Sequence, residues 1–269
     1  MATPNLERIM VHPRVFGRLG LLALSMAGAL SAQAAQQAEP ATEKAWRFEI
    51  EPYLLFANIE GTAGVGRISE APVDVDFADI LRNLEFGGML HAEAHNRPTG
   101  LGLILDYSFM ELGADRAGSL GAVLDANLRQ GVFEGFVSYR SELATGAVVD
   151  VYGGVRWWDI DLGLSLFPGP ASRSRHVDWV DPVIGVKALS PLGGDWSLLA
   201  RFDVGGFGFG SDFTWSTAVG ARSQINESVA FDIQYRVLSV DYAEGRGSSD
   251  YFAYDTFTHG PMFGLAVIF

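Results

Sequence analysis

The chain contains no cysteine, so a disulfide framework, a thiolate metal centre and a cysteine nucleophile are all closed to it. It has no apolar run of the roughly 20 residues that a membrane-crossing helix needs. The strongest candidate, LGLLALSMAGAL from Leu19 to Leu30, is too short and ends in small residues. Basic side chains are scarce: 19 Lys and Arg stand against 32 Asp and Glu, a net charge of −13. Nucleic acid is therefore excluded as a partner, because binding phosphates requires a basic surface. Apolar residues are not scarce, and at 48% they exclude a disordered chain. The 32 glycines are too many for a helical bundle and suit many strands joined by tight turns.

The short apolar run has a different reading. Arg8, His12, Arg14 and Arg18 precede it, and Ala32-Gln33-Ala34 follows as a small-x-small cleavage pattern, so residues 1–34 read as an export leader. Its removal leaves a net charge of −15. Residues 35–45 then form a short periplasmic tail, and 46–269 the folded body.

That body alternates apolar and polar residues with period two, in stretches near ten residues, which is the pattern of membrane strands. Leu101, Leu103, Leu105, Tyr107 and Phe109 share one face, opposite Gly102, Ile104, Asp106 and Ser108. In the last stretch Phe257, Pro261, Phe263, Leu265, Val267 and Phe269 do the same. The pattern predicts an all-β fold, an antiparallel up-and-down transmembrane barrel, with ten strands at 46–58, 84–96, 99–111, 123–141, 147–163, 177–190, 195–209, 213–225, 228–242 and 254–269. Eight or twelve strands would require merging or splitting segments against the turn signals. Short connections alternate with long ones, except near Ser211-Asp212, where a long outer loop is expected. Trp46 and Trp196 fall where a periplasmic aromatic girdle belongs, and Trp157, Trp179 and Trp215 where an outer one does.

Carried inward, the alternation fills the lumen with charge: Glu49, Glu51, Glu93, Asp106, Glu134, Asp150, Asp181, Asp203 and Asp232, with Arg156, Lys187, Arg201, Arg222 and Arg236. A barrel of about ten strands is little wider than one that side chains fill. The expectation is a packed, partly hydrated salt-bridge network rather than an open pore.

Other constellations carry less. His91, Glu93 and His95 alternate on one inward face, which reads as a charge ladder near the periplasmic mouth rather than a metal site. His176 with Asp178 and His259 with Asp255 lie near the outer rim without a nucleophile beside them, so no catalytic residue is assigned and no metal or cofactor is expected. GGFGFG, from Gly205 to Gly210, lacks the helix a phosphate loop needs. In the first outer loop, Phe77, Ile80, Leu81 and Leu84 recur at helical spacing behind Asp76 as a cap, predicting a short amphipathic helix.

The segments EPYLLFANIEGTAGVG, VDVDFADILRNLEFGGMLHAEA, YGGVRWWDIDLGL, WVDPVIGVKA, DVGGFGFGSDFTW, YRVLSVDY and HGPMFGLAVIF resemble those of a family of porin-like Gram-negative outer-membrane β-barrel proteins, over nearly the whole mature chain. Asp79, Glu93, Arg156, Trp157, Asp159, Asp181, Pro182, Asp203, Asp212, Trp215, Tyr235, Arg236 and His259 match its recurring positions, and Glu85 is a mild departure from the usual placing of an acid after Asn83. The resemblance implies an outer-membrane location and the barrel fold, but no ligand or reaction. The terminal Phe269 resembles the signal such proteins present to the barrel assembly machinery. The expected partners are that machinery, outer-membrane lipid and at most a small solute or ion. The expected function is a structural barrel with a charged, largely plugged lumen or a narrow small-solute channel. The alternative is an outer-membrane enzyme or surface binder working through its outer loops.

Overall fold

The computed structural model describes residues 44–66, 68–113, 124–166 and 172–269; the expected leader and most of the 35–45 tail lie outside them. Ten strands form an antiparallel meander: β1 (Trp46–Leu55), β4 (Leu84–Asn96), β5 (Leu101–Leu112), β6 (Leu124–Glu142), β7 (Val148–Leu166), β8 (Ser172–Gly193), β9 (Trp196–Gly205), β10 (Phe213–Asn226), β11 (Val229–Glu244) and β12 (Phe252–Ile268). Pairing of β1 with β12 closes the sheet on itself. Two further strands, β2 (Asn58–Val65) and β3 (Ile68–Val75), and helix α1 (Phe77–Asn83) lie between β1 and β4.

Stepping from partner to partner around the wall leads from Glu49 through Glu93, Ile104, Phe136, Gly154, Val183, Gly205, Thr214, Val240 and Thr256 to Gly61. The circuit thus ends 12 residues beyond its start. A shear of that size tilts the strands by roughly 40° from the barrel axis. Alternation fixes which way each side chain points: Leu54, Val137, Val151 and Ile184 are exposed on the outside, while Ile104, Phe136, Tyr152 and Val183 are buried inside.

The β2–β3 hairpin falls where the sequence predicts only an outer loop and helix. Leu55 faces Met262 and Asn58 faces His259, so β2 keeps the register of β1 along β12. The first strand therefore runs on past its expected end, interrupted at Phe56 and Ala57. Glycine, threonine and alanine in NIEGTAGV dilute the apolar alternation that would have revealed it.

Helix α1 forms with Asp76 as its N-cap, the side chain accepting a hydrogen bond of 2.7 Å from the Asp79 amide. Its apolar residues are divided between two sides. Ile80 is buried against Ala57, Ile59, Met110 and Leu112, and Phe77 packs on Phe56 at 4.5 Å. Leu81 is 60% exposed, and Leu84, also exposed, already begins β4. With seven residues the helix is a wedge between β1–β2 and β4, apolar on both the inner and the outer side.

The wall is uneven. Strand β8 runs on from Val183 to Ser172 beyond its last partner in β9, and the β9–β10 connection, Gly206 to Asp212, is a compact turn set low in the rim. This low turn accounts for the short outer connection. In the outer half, the tall strands β7 and β8 face β11, β12 and the β2–β3 hairpin across an apolar core of Trp158, Ile160, Leu162, Val177, Trp179, Val240, Tyr242, Phe252 and Tyr254, with Ala63 and Val65 from the hairpin. Trp179 belongs to this core and not to the girdle: it is 6% exposed, lies parallel to Trp158 at 5.5 Å and to Tyr242 at 3.9 Å, and donates to Ser211. Trp46, Trp157 and Trp196 are exposed on the outer surface, and Trp215 is half-buried beside Phe257.

Candidate functional site

Below the apolar core the barrel holds a polar interior in two tiers. The outer tier is built on Arg156, fully buried on β7. It donates to Glu134 at 2.8 Å, to Asp203 at 2.8 Å and to Thr214 at 3.2 Å. Arg201 donates to the other Glu134 oxygen at 2.6 Å and to Tyr152 Oη at 2.9 Å, and Tyr152 donates in turn to Asp203 at 3.0 Å. Arg236 donates to Tyr53 Oη at 2.8 Å, and that hydroxyl donates to Asp106 at 2.8 Å. Three guanidinium groups thus face three carboxylates, Asp106, Glu134 and Asp203, and the tier is charge-balanced.

The inner tier lines the periplasmic end. Arg222 grips Asp232 with two bonds of 2.8 and 2.7 Å and reaches Glu49 at 2.5 Å, with Glu51 3.6 Å away. Lys187 pairs with Glu93 and lies 3.8 Å from Asp150. His91 bridges the tiers, 2.9 Å from Glu93 and 3.1 Å from Asp106. All the charged residues placed inward by the sequence point inside. Asp181 alone stands apart from the ion pairs, among the aromatic groups of the outer half, where it accepts from Trp158 and Ser211.

Arg140, Tyr53 and Tyr152 join the network without having been anticipated. Arg140 is on the inward parity of β6 with Glu134 and binds Asp150 through two bonds of 2.7 Å, so extending the alternation by three steps would have found it. It also stands within a set of candidate metal ligands at this end. Atoms of Glu93, His95 and Asp150 lie within 4.8 Å of one another, a set that could hold a cation. Arg140 Nη2 stands among them, 2.7 Å from Asp150, 3.0 Å from His95 and 3.6 Å from Glu93. A guanidinium fills the position a metal ion would take.

A cavity of about 50 Å³ lies in the polar interior, lined by residues of both tiers, among them Glu51, His91, Arg201 and Arg236. At roughly 10–15 Å³ per molecule it has room for a few waters. Two buried groups next to each other, His95 Nδ1 and Ser138 Oγ, have no protein partner, and a Cβ on Gly102 would collide with both.

The rim histidines are not organised for nucleophilic catalysis. His176 is half-exposed and lies 3.4 Å from Asp159 rather than pairing with Asp178. His259 bonds Tyr235 Oη at 2.6 Å and approaches Glu60 at 3.4 Å, not Asp255. Among the described residues, neither histidine has a serine hydroxyl within its hydrogen bonds.

A closed antiparallel barrel with an apolar exterior and an ion-paired interior defines the outer-membrane type of β-barrel. No protein-family model matches the sequence, and no curated protein does. Solved structures it is similar to include outer-membrane barrels. The outer-membrane protease OmpT of Escherichia coli is 9% identical, with a TM-score of 0.51 over 87% of this chain and 99% of that one. A major outer membrane protein of Thermus thermophilus is 15% identical, with a TM-score of 0.42 over 84% of this chain and 100% of that one. At these identities the likeness is one of fold.

Proposed function

We propose that the protein is a sealed structural barrel of a Gram-negative outer membrane, exported by residues 1–34 and embedded through its apolar outer face. One observation carries the reading: an ion-paired network, with a cavity of about 50 Å³ between its two tiers, fills the inner half, and an aromatic core fills the outer half above it. A solute the size of a sugar or amino acid cannot pass unless both layers move. The belt of exposed Leu54, Val137, Val151, Ile184 and Val219 supports the membrane placement, since so much outward apolar surface is unstable in water. Phe269 at the end of β12, stacked on Phe48 at 5.8 Å, suits recognition by the barrel assembly machinery.

The test is conductance of the refolded mature protein in a planar lipid bilayer, with Arg201→Ala alongside. Wild-type membranes stay silent. Reproducible single-channel steps from the wild type, altered by the Arg201 substitution, would replace this reading with a narrow filter lined by the network.

A further inference from the structure

We infer that the low turn between β9 and β10, Gly206 to Asp212, is a lipid-binding element that inserts Phe207 and Phe209 into the outer leaflet. The inference rests on the membrane placement proposed above.

The first ground is position. Gly205 is opposite both Val183 and Thr214, so the turn begins where Trp215 leaves the wall, and Trp157 pairs with Val180 only three residues above Val183. The turn is therefore level with the outer aromatic residues of the belt, while β8 climbs well past it to Ser172. Exposed Phe202 and Phe213 flank it and join it to the apolar exterior.

The second ground is how the turn is held. Phe209 is 84% exposed and Phe207 50%, in a segment with a firm internal anchor. Ser211 is fully buried, its amide donating to Asp181 at 2.6 Å and its hydroxyl at 2.8 Å; Trp158 donates to the same carboxylate and Trp179 to the Ser211 hydroxyl. Phe207 has φ +52°, and it alone among the described non-glycine residues has a positive φ. A left-handed phenylalanine between two glycines is strained, and glycine there would relieve the strain. Holding an apolar ring in that conformation on the outside is reasonable only where something apolar receives it.

The third ground is the backbone. Amides of Gly206, Gly208, Phe209, Ser211 and Asp212 donate to Pro182 O, Ser211 O, Gly206 O, the Asp181 carboxylate and Asp241 O. Five of the seven amides are thus satisfied within the protein, all but those of Phe207 and Gly210, which suits a turn at the headgroup edge of the hydrocarbon, where most backbone groups must find internal partners.

The absence of cysteine makes the test clean. Phe209→Cys, Val219→Cys in the mid-belt and Ser248→Cys in the exposed outer turn between β11 and β12 are each labelled with one fluorophore and refolded into phosphatidylcholine vesicles. Quenching by bromine on the lipid chains is compared with quenching by iodide in the water. The Phe209 label is expected to follow Val219, with iodide quenching several-fold weaker than at Ser248. Adding Asp181→Asn should free the turn and at least halve the lipid quenching at 209. If the 209 label follows Ser248 while Val219 remains lipid-quenched, the turn stands in water and the inference fails alone. If neither quencher reaches 209, a second copy or another protein covers it, and the inference fails equally. If the Val219 label is itself in water, the membrane placement has failed.

Discussion

Replacing Arg156 with methionine keeps an unbranched apolar stem, shorter than that of arginine, and removes the cation at the centre of the outer tier. Glu134 would lose its 2.8 Å donor and Asp203 its 2.8 Å donor, both fully buried. Deleting one partner of a buried pair costs about 3–5 kcal/mol, because the remaining charge is left without compensation. Here the loss is cushioned. Glu134 keeps Arg201 at 2.6 Å and Arg236 at 3.5 Å, and Asp203 keeps Ser216 at 2.7 Å and Tyr152 at 3.0 Å. The expected destabilisation is therefore at the lower end, about 3 kcal/mol. Arg156→Lys should recover little of it, since a single ammonium cannot serve Glu134, Asp203 and Thr214 in the way a planar fork does.

The assay is denaturant unfolding in lipid vesicles, followed by tryptophan emission and by the gel mobility shift of folded barrels. The double variant Arg156→Met, Asp203→Asn, with Asp203→Asn alone to complete the cycle, leaves Arg201 and Arg236 facing Glu134 and Asp106, and it should be more stable than Arg156→Met alone because the tier is balanced again. A loss below about 1 kcal/mol for Arg156→Met would refute the reasoning, since it would mean that water already screens the tier as it does exposed ion pairs.

Trp179→Ala should cost about 3–5 kcal/mol by the same assay, because the ring is stacked on both Trp158 and Tyr242 in the outer core; a girdle residue facing lipid would cost far less. A Cβ on Gly264 would lie 1.8 Å from Glu51 Oε1, so Gly264→Ala must displace that buried carboxylate, at about 1–3 kcal/mol in unfolding free energy. Phe269→Ala is expected to lower the amount of barrel assembled in cells while leaving refolding of purified protein in detergent unchanged; equal losses in both would assign the residue to packing on Phe48 alone.

The number of barrel strands and the direction of their side chains were legible because period-two alternation is strong wherever one face meets lipid and the other a charged interior. The outer half was less legible because its inner face is as apolar as its outer face. Trp157 and Trp158 are neighbours, so one of them must point inward, and the charge-based reading named only the outward one. Trp179 shares parity with Asp181, and placing the carboxylate inside requires the indole to be inside too. The expectation of a girdle overrode that arithmetic. The β2–β3 hairpin escaped for a different reason. Its inward residues, Ile59, Ala63 and Val65, are small or widely spaced, and only the walls they pack against make them a core.

The division of the interior bears on how the barrel closes. The β1–β12 ladder carries Glu49 and Ile50, skips Glu51 and Pro52, and resumes at Tyr53. Pro52 has no amide to give, so the closing seam is weakest in its periplasmic half, between Ile50 and Tyr53. The inner polar side chains cross that weak point. Arg222 of β10 reaches Glu49 of β1, 173 residues away in sequence, and Arg236 of β11 reaches Tyr53, 183 residues away. An apolar interior would fill the same volume, but it would tolerate a slip of β1 along β12. A slip by one residue would turn Glu49, Glu51 and Tyr53 outward into the apolar belt, and a slip by two would move Glu49 and Tyr53 off Arg222 and Arg236. The ion pairs therefore select one closing register where the backbone ladder alone does so weakly, and the aromatic core above needs no such selection because β2 is held to β12 by an unbroken ladder from Asn58 to Val65.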